Sequence, residues 1–148
     1  MLKLAVLLAS TTALARPLHG SAGLGGSLLA TGAEGAARRL ELEVDLEPSR
    51  FGALLALRGF DAEHRGLACV GLVYEAGAAR PRLVLALHAD LGADLDHRAP
   101  LVGGGVRATL GLIGPIGLAG DAGSYLVIDG VDRTRLVLQF SGSLVVRW

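Results

Sequence analysis

The side chains with the most capacity for chemistry lie between residues 88 and 97. This stretch carries two histidines and three aspartates, at His88, Asp90, Asp94, Asp96 and His97. Carboxylates and imidazoles at such spacing can bind a hard or borderline cation. Their order does not match an EF-hand loop, which needs its glycine and terminal glutamate. We therefore predict a solvated acidic loop at residues 92–98, and an interior His88 paired with Asp90.

Nucleophilic catalysis has little support in the sequence. No serine lies in a G-x-S-x-G turn, the element that exposes the nucleophile of many hydrolases. Cys69 is the only cysteine, which excludes an internal disulfide. Its apolar neighbours predict a buried or lipid-facing hydrophobe. We expect no catalytic residue, no cofactor and no metal, and thus a protein that is not an enzyme.

Length and charge narrow the class of protein. The chain has 148 residues with 14 basic and 14 acidic side chains. This length suits one domain. The charges are balanced and form no basic stripe, so we expect no nucleic-acid partner.

The first 15 residues have the pattern of a secretory signal peptide. Lys3 is followed by an apolar stretch at residues 4–14 and by the small-x-small sequence Ala13-Leu14-Ala15. We predict cleavage there and a single β-domain at residues 16–148. The mature part has no uncharged apolar run of the roughly 20 residues that a membrane-spanning helix needs. If this chain enters a bilayer, it must do so as a closed β-barrel.

The clearest strand pattern lies at residues 134–148. Even positions are largely apolar, whereas odd positions carry Arg135, Gln139 and Arg147. This period of two indicates a strand with one apolar and one polar face. The strand and the chain end on Trp148.

A hairpin is predicted at residues 39–60, around a turn at Pro48-Ser49. Apolar residues alternate with four acids, Glu41, Glu43, Asp45 and Glu47. Pairing Leu42 with Leu55 makes the apolar faces of both strands coincide, and it brings Arg39 beside Arg58.

The remaining pattern completes an all-β chain of eight strands. Further strands are predicted at 20–30, 67–76, 82–91, 106–113 and 124–130; residues 20–30 could equally be a flexible leader. Long connections are expected at 30–38, Gly92–Gly105 and Gly114–Gly123. Period-two alternation with otherwise short connections favours an antiparallel meander over a parallel sheet.

Strand number, chain length and the C-terminal aromatic strand resemble those of small bacterial outer-membrane β-barrels. The resemblance implies an eight-stranded up-and-down barrel in outer-membrane lipid, inserted by a barrel-assembly machinery that reads the final strand. Leucine-rich faces would meet lipid. The acids of the hairpin would meet arginines in a blocked lumen, and the role would be structural or binding. The arginines expected inside are Arg50, Arg58, Arg107, Arg135 and Arg147.

A soluble periplasmic or extracellular β-sandwich that binds a partner is the alternative. It needs the same alternation with the faces reversed, leucines inward and charges in water. One tryptophan, two tyrosines and three phenylalanines are too few for the two aromatic girdles of a membrane barrel. The orientation of four leucines distinguishes the two folds, namely Leu42, Leu85, Leu110 and Leu138.

Overall fold

The computed structural model describes residues 19–31, 35–47, 50–80, 82–130 and 133–148. The predicted signal peptide lies outside these ranges. The eight strands are β1 (His19–Thr31), β2 (Gly35–Glu47), β3 (Phe51–Phe60), β4 (Leu67–Arg80), β5 (Leu83–Asp94), β6 (Ala99–Ile113), β7 (Ile116–Ile128) and β8 (Thr134–Arg147). No helix in the described ranges is long and apolar enough to span a bilayer.

The eight strands form one closed antiparallel barrel in sequence order. The sheet closes where β1 pairs with β8, from Ser21 opposite Arg147 to Thr31 opposite Val137. Gly20 and Trp148 extend this seam by exchanging two backbone hydrogen bonds of 3.2 and 3.0 Å. The predicted up-and-down barrel is therefore confirmed, and the alternative of a β-sandwich is wrong. The 20–30 segment is a strand and not a leader.

The apolar faces of the strands point away from the barrel axis; we call their leucines, among them Leu42, Leu85, Leu110 and Leu138, the leucine rows. These four leucines are each 41–44% exposed. Charged neighbours on the same strands point inward, and Glu41 and Arg58 have no exposed surface. A soluble domain buries its leucines and leaves charges in water, so this distribution is the reverse of the usual one.

The hairpin of β2 and β3 has a different register from the predicted one. Leu42 lies opposite Leu57 rather than Leu55, and Arg58 lies opposite Glu41 rather than Arg39. The shift of two residues leaves both apolar faces together, because side chains alternate with a period of two. It also pairs residues of opposite charge across the two strands, where the predicted register paired two cations.

Several predicted loops are strand instead. The expected loop Gly92–Gly105 is reduced to residues 95–98, and the expected turn Gly114–Gly123 to residues 114–115. Of the expected 30–38 connection, residues 30–31 and 35–38 belong to β1 and β2, and the remainder lies outside the described residues. Glycine is required within β6 because the interior is crowded. A Cβ atom added to Gly103 would lie 2.5 Å from Cδ1 of Tyr125, and one on Gly105 would lie 2.8 Å from Nε2 of His88.

Candidate functional site

The barrel interior is built around the guanidinium group of Arg58 on β3. Its Nη1 donates hydrogen bonds to Oδ1 of Asp121 at 2.9 Å and to Oε1 of Gln139 at 2.8 Å. The group also lies 5.7 Å from the ring centre of Tyr125. A cation placed over an aromatic face is stabilised by the quadrupole of the ring. Arg58 thus connects β3 to side chains on β7 and β8.

A histidine on β5 completes this cluster. Nδ1 of His88 lies 2.8 Å from Oδ2 of Asp90, which also accepts a 2.9 Å hydrogen bond from the Tyr125 hydroxyl. Nε2 of His88 lies 3.1 Å from Oδ2 of Asp121, an ion-pair distance without hydrogen-bond geometry. The predicted interior pairing of His88 with Asp90 is confirmed. We call this set the interior network; it comprises Glu41, Arg58, His88, Asp90, Asp121, Tyr125 and Gln139.

Two glutamates of β2 extend the polar interior. Glu41 accepts hydrogen bonds from Nε2 of Gln139 at 2.9 Å and from the Ser141 hydroxyl at 3.0 Å. Glu43 accepts them from Nη2 of Arg107 at 2.7 Å and from the Ser143 hydroxyl at 3.0 Å. Paired and hydrogen-bonded in this way, the carboxylates can be buried.

Two of these ion pairs cross the lumen. β3 and β7 lie on opposite sides of the eight-stranded ring, as do β2 and β6. The contact of Arg58 with Asp121 and the contact of Arg107 with Glu43 therefore each span the barrel. An eight-stranded barrel is just wide enough for side chains to fill it. Both ion pairs therefore lie within the barrel interior, between opposite walls.

The expected set of interior arginines is partly correct. Arg58 and Arg107 are buried, and Arg135 is partly buried, whereas Arg50 and Arg147 are exposed. Their partners include Asp121, which lay inside the predicted turn Gly114–Gly123 and was therefore missed. An alternating reading of β7 would have placed this aspartate on the inner face. The side chains of Asp45 and Glu47 lie outside the described set.

The barrel mouth, defined by loops 61–66 and 95–98, repeats one small motif. In the first loop, Oδ1 of Asp61 accepts 2.8 Å hydrogen bonds from the backbone N–H groups of Glu63 and His64, and lies 3.0 Å from Nδ1 of His64. In the second loop, Asp94 holds the backbone and the imidazole of His97 in the same way, with Nδ1 at 2.9 Å. Each turn thus fixes one imidazole on one carboxylate.

The environment of Asp61 favours its ionised form. Hydrogen bonds from the backbone N–H of Glu63, then from the side chain and the backbone N–H of His64, lower the pKa of its carboxyl from 3.8 to about 2. Such bonds stabilise the carboxylate and are lost on protonation.

Each aspartate of the motif also meets an arginine: Asp61 meets one from the adjacent strand β2, and Asp94 meets one from β8, which is not adjacent to β5. Nε of Arg39 lies 3.6 Å from Asp61, and Nη2 of Arg135 donates a 2.8 Å hydrogen bond to Asp94. Asp96 joins the two loops, because its oxygens accept the backbone N–H groups of Arg65 at 2.8 Å and of Gly66 at 3.2 Å. We call the space between them the mouth cavity. It measures about 400 Å³ and is lined by Leu29, Thr31, Ala37, Arg39, His64, Gly66, Leu67, Asp94, Asp96, His97, Arg135 and Val137.

The structure separates the five residues with which the sequence analysis began. His88 and Asp90 belong to the interior network, whereas Asp94, Asp96 and His97 lie at the mouth. Within the described ranges, no three histidine, cysteine, aspartate or glutamate side chains converge as a metal-binding group. Residues 92–94 belong to β5, so the predicted acidic loop at 92–98 is shorter than expected.

The fold is similar to two solved structures. One is Neisserial surface protein A, with 10% identity, a TM-score of 0.48, and coverage of 88% of this chain and 97% of that chain. The other is Ail, the attachment invasion locus protein of Yersinia pestis, with 14% identity, a TM-score of 0.45 and the same coverages. No protein-family model and no curated protein matches the sequence. The chain is a closed eight-stranded antiparallel β-barrel with an apolar outer wall and a charged interior, the architecture typical of small outer-membrane barrels.

Proposed function

We propose that this protein is a β-barrel of a bacterial outer membrane with a structural or binding role and no catalytic activity. One observation carries the proposal, namely that the leucine rows are exposed while Glu41, Arg58 and Asp90 are buried. Exposed apolar surface on this scale marks a contact with another apolar phase. Because the rows run around a closed ring of strands, a surrounding bilayer fits them.

Strand length supports the same location. A tilted membrane strand needs about 9–11 residues to cross the hydrocarbon layer. The shortest strand of this barrel has 10 residues and the longest has 15.

Aromatic residues cluster at one end of the outer wall. Phe51 and Tyr74 are exposed on neighbouring strands, with ring centres 5.0 Å apart. Trp148 is exposed at the same end, where the turn 114–115 also lies. Tyrosine and tryptophan are enriched where a barrel wall meets the headgroups. We place this end at the periplasmic side, because its turn 114–115 is shorter than loops 61–66 and 95–98 at the other end.

The lumen supports a role other than conduction. The two ion pairs cross the barrel interior between opposite walls, so we propose that the protein forms no water-filled pore. Cys69 points toward this packed interior and is 2% exposed, which argues against thiol chemistry.

Two partners follow from this location. Outer-membrane lipid would cover the leucine rows, and the barrel-assembly machinery would read the final strand with Trp148. The segment 1–15 would direct export and be removed.

Fractionation of cells that express the full chain tests the proposal. We expect the protein in the outer-membrane fraction, resistant to extraction with urea or carbonate, and with a faster-migrating folded band on unheated gels. A periplasmic protein expressed in the same cells serves as the control. Release by osmotic shock with that control would overturn the proposal and favour a soluble secreted binding module.

A further inference from the structure

We propose that the mouth cavity binds a small organic acid, a carboxylate attached to a compact apolar body. The inference rests on the binding role proposed above and names a ligand class for it. Three features of the cavity carry it: its floor, its hydrogen-bonding capacity and its size.

The floor of the cavity is apolar. Leu29, Leu67 and Val137 line it and are 7%, 3% and 3% exposed. They come from β1, β4 and β8, so the floor is held by the sheet rather than by a loop. An apolar group seated on these side chains would be removed from water, which is favourable in proportion to the area covered.

The acidic side chains of the cavity already have their partners. Oδ1 of Asp94 accepts two backbone N–H groups, and its Oδ2 faces Arg135 and His97. Both oxygens of Asp96 accept backbone N–H groups of the other loop. These carboxylates hold the mouth together, and little acceptor capacity is left for a cationic ligand.

Donors are in surplus around the same space. Nε of Arg135 and the hydroxyl of Thr31 are buried without a hydrogen-bond partner. Because buried donors gain most from an acceptor, a ligand that supplies carboxylate oxygens suits the cavity.

The size of the cavity limits the ligand. Its volume of about 400 Å³ is near the lower end of the roughly 300–1,000 Å³ that is usual for small-molecule pockets. A compact acid with one ring or a short branched chain suits this volume and the apolar floor together.

Binding of phenylacetate to the refolded full-length barrel tests the inference, with the neutral isostere phenylacetamide as comparator. Folding is first verified by the faster-migrating band on unheated gels, so a failure to bind is distinguishable from a failure to form the barrel. Calorimetry and ¹⁵N NMR titration report affinity and location. We expect saturable binding of phenylacetate, with amide shifts in loops 61–66 and 95–98 and none at the turn 114–115. We expect phenylacetamide to bind about tenfold more weakly, the usual effect of losing one charge-assisted hydrogen bond.

Two matched variants locate the carboxylate. Arg135→Gln should weaken phenylacetate binding about tenfold, because it removes the charged donor. Arg133→Gln, an exposed arginine outside the cavity lining, should leave the affinity within about twofold. Equal binding of the acid and the amide by the wild-type barrel would overturn the inference, since it would indicate partition into detergent alone. Absence of saturable binding by the folded barrel would overturn it too, and this result needs no variant to fold.

Discussion

At Arg58, a guanidinium group with no exposed surface contacts side chains from β7 and β8. A buried charge of this kind is tolerated only with close partners, because transfer from water costs several kcal/mol. Asp121 and Gln139 supply those partners at 2.9 and 2.8 Å. The residue therefore connects opposite walls of the barrel and fixes their separation.

Replacing Arg58 with methionine should lower the free energy of unfolding by about 3–5 kcal/mol, since Asp121 would stay buried without its cation. Urea titration of the barrel refolded in detergent or lipid measures the change. Arg50→Met is the matched control, because Arg50 is exposed and should change stability by no more than about 0.5 kcal/mol. Equal stability of the two variants would contradict the structural role of the interior network.

The Asp61 carboxyl should titrate with a pKa of about 2 in the folded barrel. Since this pKa is lowered on folding, ionised Asp61 stabilises its loop above about pH 4 and loses that effect as the pH falls toward 2. Carboxyl ¹³C NMR of the labelled barrel follows the titration.

The control for this titration is His64→Ala. It should raise the pKa of Asp61 only part of the way, because the backbone N–H of Glu63 remains as the largest cause. A wild-type pKa near 3.8 would show that the turn is not formed.

Some of the interior side-chain contacts could be predicted from the sequence. The interior pairing of His88 with Asp90 followed from their alternation on one strand face. The contact of Arg58 with Asp121 could not be predicted, because these two residues are 63 positions apart in the sequence. Only the closure of the ring brings those faces together.

At the scale of strands, period-two patterning located all eight elements but not all of their ends. The largest errors were at the starts of β6 and β7, where glycine is abundant. There, glycine serves the packing of His88 and Tyr125 rather than a turn. Glycines on the inward face of a strand, next to bulky polar residues, indicate a lumen that is filled by side chains.

A charged side chain in the central part of the outer face of β8 should destabilise the barrel. Leu138→Arg should lower the free energy of unfolding by about 2–4 kcal/mol, the cost of an arginine near the bilayer midplane. Thr134→Arg lies at the end of the same face and should cost only about 0–1 kcal/mol. Urea unfolding in lipid vesicles compares the two variants. A cost that is equal at both positions would contradict a lipid-facing strand.

The last residue should matter for assembly. Trp148 completes the β1–β8 seam by two backbone hydrogen bonds with Gly20, and its ring is exposed. Deleting Trp148 should reduce the folded fraction in the outer membrane, whereas Trp148→Phe should retain it. The band that shifts on unheated gels measures this fraction. Unchanged assembly of the deletion variant would contradict recognition of the final strand.

At the scale of the whole molecule, the sequence predicted the strand number and the meander but left the solvent of each face open. A membrane barrel and a soluble β-domain both require alternation, so periodicity cannot distinguish them. Closure of the ring makes the distinction, because one face of the sheet then lines the lumen and the other forms the outer wall. Here the outer face is leucine-rich, so the outer wall should contact lipid.

Quenching of tryptophan fluorescence by brominated lipids measures this contact. In a Trp148→Phe background, Phe140→Trp places the probe midway along β8, and Phe51→Trp places it near the turns. We expect lipids brominated near the bilayer centre to quench the Phe140→Trp probe most strongly, and lipids brominated near the headgroup to quench the Phe51→Trp probe most strongly. Absence of quenching at both positions in the folded barrel would show that the outer wall does not meet lipid.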